Sequence, residues 1–198
     1  MAKILVFDNY DSFTYNLVHY VKKSGGHTVD VFRNDEISLD DVEKYDGIIL
    51  SPGPGIPEEA GLLLPLIKRF YFSKRILGVC LGQQAIAVVF GGVLENLKTV
   101  YHGVASPIKI NSNNHYLFNG LPKETLVGRY HSWVVSRKKL PSCFKVEAVD
   151  ENGEIMALSH SSYDICGVQF HPESVLTPHG YTMIENWLDG FSNNDYSK

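Results

Sequence analysis

In the stretch ILGVCLGQQ, residues 76–84, Cys80 lies between Gly78 and Gly82 where an apolar strand gives way to a helix. Glycines two residues to either side permit the tight strand-to-helix turn that lifts a nucleophilic side chain above the edge of a sheet. Free N–H groups at the helix start stabilise a thiolate, and that of Leu81 points where an oxyanion forms during acyl transfer. Taken alone, the stretch also fits a core cysteine beside packing glycines.

A nucleophilic thiol needs a base, and the base needs a group to orient it. VQFHPES supplies both: His171 follows the apolar run that ends at Phe170, and Pro172 favours an extended residue before it. Residues two apart in an extended chain share a side, so Glu173 can turn its carboxylate to the His171 ring, hold its tautomer and stabilise its charge. A second oxyanion donor could come from SPGPG, Ser51 to Gly55, which follows the apolar run Gly47 to Leu50. That places it on the sheet edge where open α/β folds bind ligands. It lacks the GK[ST] ending of a phosphate loop, and a rigid turn is an equal reading of this stretch alone.

The rest of the composition narrows the setting. With 198 residues, 44% of them hydrophobic, the chain is expected to bury one core in a single domain, 1–198. A formal charge of −4 gives no footprint for nucleic acid or an anionic membrane, so neither is expected as a partner. Three cysteines at irregular spacing, Cys80, Cys143 and Cys166, indicate neither a disulfide framework nor a zinc ribbon, and no metal is expected. The opening MAKILVFD lacks the apolar core of a signal peptide, and no run approaches the roughly 18 apolar residues of a membrane span. A reducing cytoplasm is the expected location.

The elements that must position these residues read as alternating strands and helices, the pattern of a parallel sheet with flanking helices. Strands are expected at Lys3 to Phe7, Thr28 to Phe32, Gly47 to Leu50 and Arg75 to Val79. A helical stripe runs from Ser12 through Phe13, Leu17, Tyr20 and Val21 to Gly25-Gly26, and another helix spans Leu62 to Phe72, where Pro65 marks either its start or a bend. After Gly91-Gly92 come strand-like runs: Val104 to Ile110, Thr125 to Tyr130, Val134 to Ser136, Lys145 to Val149, Ile155 to Ser159 and Ile165 to Phe170. Asn152-Gly153 signals a hairpin between two of them. A last helix, Tyr181 to Phe191, shows one apolar face, and the polar tail from Asn193 is expected to fray.

Together, GVCLGQQ, LSPGPG and QFHPES resemble the class I glutamine amidotransferases essentially from end to end. FDNYDSFTYNLV and SPGPGIPEEAG look like the small glutaminase subunit of anthranilate synthase or of its sibling, aminodeoxychorismate synthase. Carbamoyl-phosphate synthetase, GMP synthetase and CTP synthase are expected to carry this domain within longer chains, and the histidine-pathway amidotransferase lacks NYDSFTYN. The resemblance implies an open, mostly parallel α/β sheet of flavodoxin-like form, with antiparallel strands added in the second half. It implies a Cys80, His171, Glu173 triad acting on L-glutamine, an oxyanion hole at the N–H groups of Gly53 and Leu81, and a pocket from Gly53, Pro54, Gly55, Gln84, Ser132 and Trp133. Trp133 departs from the smaller aliphatic residue expected there; a main-chain contact survives that change.

The same resemblance implies that this chain itself carries no cofactor. Its implied partner is a chorismate-binding synthase, either anthranilate synthase component I or aminodeoxychorismate synthase component I. NYDSF, Asn9 to Phe13, and His102-Gly103 would face it, although a strand-edge histidine fits His102 equally well. Two other readings stand beside the glutaminase: a non-catalytic regulatory relative, disfavoured by an intact triad, and a cysteine peptidase or esterase, disfavoured by the pocket residues.

Overall fold

The computed structural model describes residues 1–111 and 115–191; the tail expected to fray from Asn193 lies outside them. In chain order the first half holds β1 (Lys3–Asp8), α1 (Thr14–Ser24), β2 (Thr28–Arg33), α2 (Leu39–Val42), β3 (Gly47–Leu50), α3 (Leu63–Phe70), β4 (Arg75–Val79) and α4 (Leu81–Val89). The second half holds β5 (Leu94–Asn96), β6 (Val104–Ile110), β7 (Glu124–Arg129), β8 (Trp133–Val135), β9 (Phe144–Asp150), β10 (Ile155–His160), β11 (Ile165–Val168) and α5 (Gly180–Asp189).

Among the described residues nine strands form one sheet in the order β2-β1-β3-β4-β11-β10-β9-β6-β7, and β5 pairs with β8 in a separate ribbon. From β2 to β11 all neighbours are parallel; from β11 to β7 all are antiparallel. This is the open α/β sheet with antiparallel strands added by the second half. β3, β4 and β11 are buried along their whole length. Central parallel strands covered on both faces must be apolar throughout, which is why these runs lack alternation. One face packs Leu17, Val18 and Val21 of α1 with Ile184, Trp187 and Leu188 of α5. The other packs Leu63, Leu66, Ile67 and Phe70 of α3 with Ala85 and Ile86 of α4.

Several boundaries differ from the expected ones, each for a local reason. Pro65 is the third residue of α3, in the first turn, where its missing N–H has no intrahelical acceptor to lose. It marks a start, not a bend. α2 and β5 carry no sequence signal because four and three residues are too short to show a period; α2 is set by Ser38, whose hydroxyl accepts from Asp41 N–H. β11 stops at Val168, two residues short of the expected Phe170. Gln169 then bonds through its N–H to Met156 O at 2.9 Å and leaves the parallel ladder.

The carboxyl ends of β1, β3, β4 and β11 share one edge. The loop from Asn9, the SPGPG loop, Cys80 and the segment from Gln169 to Glu173 therefore meet there, where open α/β sheets bind ligands. No helix among the described residues is long and apolar enough to cross a membrane.

Candidate active site

Cys80 is the N-cap of α4 and has φ 52°, one of two positive-φ residues other than glycine among the described residues. A side chain in that region costs about 1–3 kcal/mol, so the surrounding backbone must enforce it. It does so by close approach. A Cβ on Gly78 would fall 2.5 Å from the Gly82 carbonyl carbon, and one on Gly82 would fall 2.6 Å from Leu50 O. Only glycine at both positions lets α4 begin this near β3 and β4. Cys80 N–H donates to Val168 O at 2.8 Å, tying the elbow to β11.

His171 is clamped across the edge of the antiparallel half. Its N–H donates to Gly128 O at 2.9 Å, and its carbonyl accepts from Thr177 Oγ1 at 2.6 Å. The chain then turns, with Ser174 N–H donating to His171 O. Glu173 reaches the ring through this turn; the extended alternation expected from Pro172 is corrected, although the contact itself forms. His171 Nδ1 and Glu173 Oε1 are 2.7 Å apart, with both residues 2% exposed.

Burial disfavours the charged imidazole, but Cys80 nearby and the hydrogen-bonded Glu173 outweigh it and lift the His171 pKa to about 10. Burial raises the Glu173 carboxyl against the opposing pull of His171. Cys166 lies within β11 and is fully buried, which pushes its thiol up to about 12; this disposes of it as a nucleophile.

The SPGPG loop is held against β1. Asn9 N–H donates to Ser51 Oγ at 2.8 Å and Asn9 Nδ2 to Ser51 O at 2.9 Å. Gly53 approaches so closely that a Cβ there would lie 2.6 Å from Asn9 Cβ and 2.8 Å from Leu81 Cδ2. Gly53 and Leu81 are thus neighbours, while Pro54 and Gly55 are exposed at the rim. Gln84, one turn past Cys80, donates through Nε2 to Trp133 O at 2.9 Å, so Trp133 enters through its main chain. Ser132 and Trp133 are half-buried, and Ser132 O accepts from Leu97 N–H. His102 and Gly103 are exposed, with the His102 ring 6.3 Å from that of Tyr130.

Four residues near the triad carry no chemistry assigned from the sequence. Phe13 and Tyr130 pack their rings on His171, at 5.6 and 4.8 Å between centres. Gln169 Nε2 lies 3.5 Å from Cys80 Sγ. Asp11 has a carboxylate oxygen within 4.8 Å of ligand-type atoms of His171 and Glu173, and burial raises its pKa. Among the described residues these three form the group that could share a cation; one held there would occupy the ring and carboxylate needed for proton transfer. The motif QFHPES contains Gln169 and NYDSF contains Asp11 and Phe13, so the signal was present without a partner to interpret it. A cavity of about 850 Å³ lined by Arg75, His115, Lys145 and Glu147 sits at the opposite edge, where β4 and β11 begin, away from these groups.

The chain is similar in sequence and fold to known proteins. The chain is 48% identical over 197 residues to "Anthranilate synthase component 2" of Lactococcus lactis subsp. lactis (strain IL1403), covering 98% of each chain. It is 46% identical over 190 residues to "Aminodeoxychorismate/anthranilate synthase component 2" of Bacillus subtilis (strain 168), covering 95% of this chain and 96% of that one. A Thermoplasma acidophilum protein described as a GMP synthase subunit has a crystal structure that superposes with a TM-score of 0.85 at 27% identity, covering 96% of this chain and 93% of that one. That neighbour's chain is scarcely longer than the region matched, so the expectation that GMP synthetase relatives carry the domain only within longer chains does not hold for it. The pattern of the family described as "Glutamine amidotransferase class-I" matches residues 5–190, and the chain belongs to that family.

Proposed function

We propose that this chain is the glutaminase subunit of a chorismate-using synthase, anthranilate synthase component II, and that it hydrolyses L-glutamine to glutamate and passes ammonia to its partner. The observation that carries the reading is the His171–Glu173 pair at the same sheet edge as a cysteine held at positive φ. Family membership and the names of the relatives support it.

His171 takes the Cys80 proton, a transfer favoured by the raised proton affinity of its ring. The sulfur attacks the side-chain amide carbon of glutamine, and the carbonyl electrons move to oxygen, which the N–H groups of Gly53 and Leu81 receive. Collapse expels the amide nitrogen, which takes the proton from His171 and leaves as ammonia, leaving a γ-glutamyl thioester on Cys80. His171 then deprotonates a water that attacks the thioester, and glutamate departs as the thiol is restored. Glu173 keeps the ring oriented and stabilises its charge throughout. Gly53, Pro54, Gly55, Gln84, Ser132 and Trp133 form the glutamine pocket in this reading. No step calls on a cofactor.

Ammonia released near neutral pH is soon protonated and then cannot attack an acceptor, so the second active site must be close. We place it on a chorismate-binding synthase, anthranilate synthase component I, in the cytoplasm, a setting that suits three unpaired cysteines. The Bacillus subtilis relative carries both anthranilate and aminodeoxychorismate synthase in its name, which supports a second reading in which aminodeoxychorismate synthase component I is also a partner. The test is Cys80→Ala in complex with the co-purified synthase. Synthesis from glutamine should vanish while synthesis from ammonium salts persists, and the product formed from chorismate identifies the pathway. A Cys80→Ala complex that still used glutamine would overturn the proposal.

A further inference from the structure

We infer that Gln169 is a hydrogen-bond donor to the nucleophile, its amide oriented through Gln84 by the main-chain carbonyl of Trp133. The inference rests on the reading of Cys80 as the nucleophile and adds a residue to that same site.

The polarity is set by a group that cannot reverse. Trp133 O is a backbone carbonyl and only accepts, so the Gln84 atom 2.9 Å from it is the amide nitrogen. That nitrogen also lies 3.2 Å from Gln169 Oε1. The Gln169 amide is thereby oriented with its nitrogen on the other side, 3.5 Å from Cys80 Sγ, within reach of a sulfur acceptor. Reversing it would set an N–H₂ against the donor of Gln84, and once the thiol ionises a carbonyl oxygen against the thiolate, in a site where Gln169 is 0% exposed.

The same carbonyl is held by a second donor from its other side. Arg129 Nη1 donates to Asp150 Oδ2 at 2.8 Å, and Arg129 Nε donates to His131 Nε2 at 3.2 Å, so the His131 proton resides on Nδ1. His131 Nδ1 then donates to the same Trp133 O at 3.1 Å. Burial and the Arg129 charge hold His131 neutral, its pKa lowered to about 3, as an acceptor from arginine requires. Trp133 O therefore receives two donors, His131 from one side and Gln84 from the other.

The family resemblance placed Gln84 in the glutamine pocket; the structure gives its nitrogen to Trp133 and Gln169. The end of β11 at Val168 makes this possible, because Gln169 has left the ladder and turns its amide to the elbow. As the Cys80 proton moves to His171, the Gln169 N–H faces a sulfur gaining negative charge and holds it in place. After acylation that charge is gone. The donor thus acts on formation and aim of the nucleophile and not on glutamine binding, so its loss lowers kcat and leaves KM near the wild-type value.

The test compares Gln169→Leu, which removes the amide, with Gln169→Glu, which keeps its volume and its acceptor for Gln84 but turns a carboxylate oxygen to the sulfur. The other titratable groups near the Cys80–His171 pair, Glu173, Asp11, His131 and Tyr130, and the Arg129 charge behind His131, stay in place. Each variant is assayed with the synthase for glutamate release, for synthesis from ammonium salts, and for alkylation of Cys80 by iodoacetamide across pH, read by mass spectrometry. Gln169→Leu should lose about tenfold in kcat and move the alkylation profile up by about one pH unit; Gln169→Glu should lose more and move it further. Ammonium-dependent synthesis should persist in both. Where Gln169→Leu fails to assemble with the synthase, Gln169→Glu decides by the same readouts. A wild-type alkylation profile and kcat in an assembled variant would overturn the inference. Failure of the glutaminase reading would show separately, as wild-type complex that releases no glutamate.

Discussion

Phe13 stands edge-on to His171, with ring centres 5.6 Å apart and planes at 76°, so the segment that follows β1 touches the base of the triad directly. Tyr130 packs on both rings, at 5.2 Å from Phe13 and 4.8 Å from His171. Tyr10, in the same segment, is exposed and holds a positive φ, its hydroxyl donating to Asp35. A partner bound at this segment would lie one aromatic contact, Phe13, from His171.

From that contact, Phe13→Ala should lower kcat for glutamate release by up to about tenfold, the worth of one aromatic pair of about 0.5–1.5 kcal/mol. Titration with the synthase should raise turnover in the unmodified chain, and Phe13→Ala should reduce that rise. Equal turnover and equal activation in the two proteins would remove Phe13 from the coupling.

His171→Ala should cost more than Glu173→Gln. The ring carries the protons and its loss should reduce glutaminase activity by about 10²–10⁴-fold, whereas the carboxylate orients it at 2.7 Å. The double variant should be little worse than His171→Ala alone, because the two act as a unit. Steady-state kinetics on the three variants checks both statements, and additive losses would contradict them.

The His171 ring has its pKa raised from 6.5 to about 10 in the folded chain. A raised histidine contributes stability that is fully present below pH 6.5 and is lost as pH rises through about 10, so the folded chain should lose this contribution on the alkaline side. Cys80 is the first of the groups that raise it, ahead of Glu173. In Cys80→Ala the His171 titration, followed by NMR of the imidazole, should move to lower pH. An unmoved titration would mean that Glu173 alone holds the charge.

Gly82→Ala tests the elbow. Alanine gains about 1 kcal/mol of helix propensity over glycine, but the added Cβ would sit 2.6 Å from Leu50 O. Overpacking against a β3 backbone that cannot yield costs about 1–3 kcal/mol, so the balance should be destabilising. Denaturant midpoints compare the two proteins, and a Gly82→Ala chain at least as stable as wild type would show that α4 can move away from β3.

The pieces legible along the chain are those that local rules govern. Gly47 to Leu50 and Arg75 to Val79 were readable to the residue because strands covered on both faces must be apolar throughout. Cys80 was legible from two glycines whose only purpose is close approach, and Glu173 from its two-residue spacing to His171. Whatever depends on residues distant in the chain emerged only from the folded arrangement. Glu173 reaches its partner through a turn whose position is set by Gly128 and Thr177, 43 residues before and 6 after His171. Gln169 was visible as a letter in QFHPES, yet its amide has no meaning until Gln84, 85 residues away, and the Trp133 carbonyl orient it. Hydrogen-bond polarity travels through space from one fixed group to the next, and it leaves no periodic trace along the chain that a reading of sequence could follow.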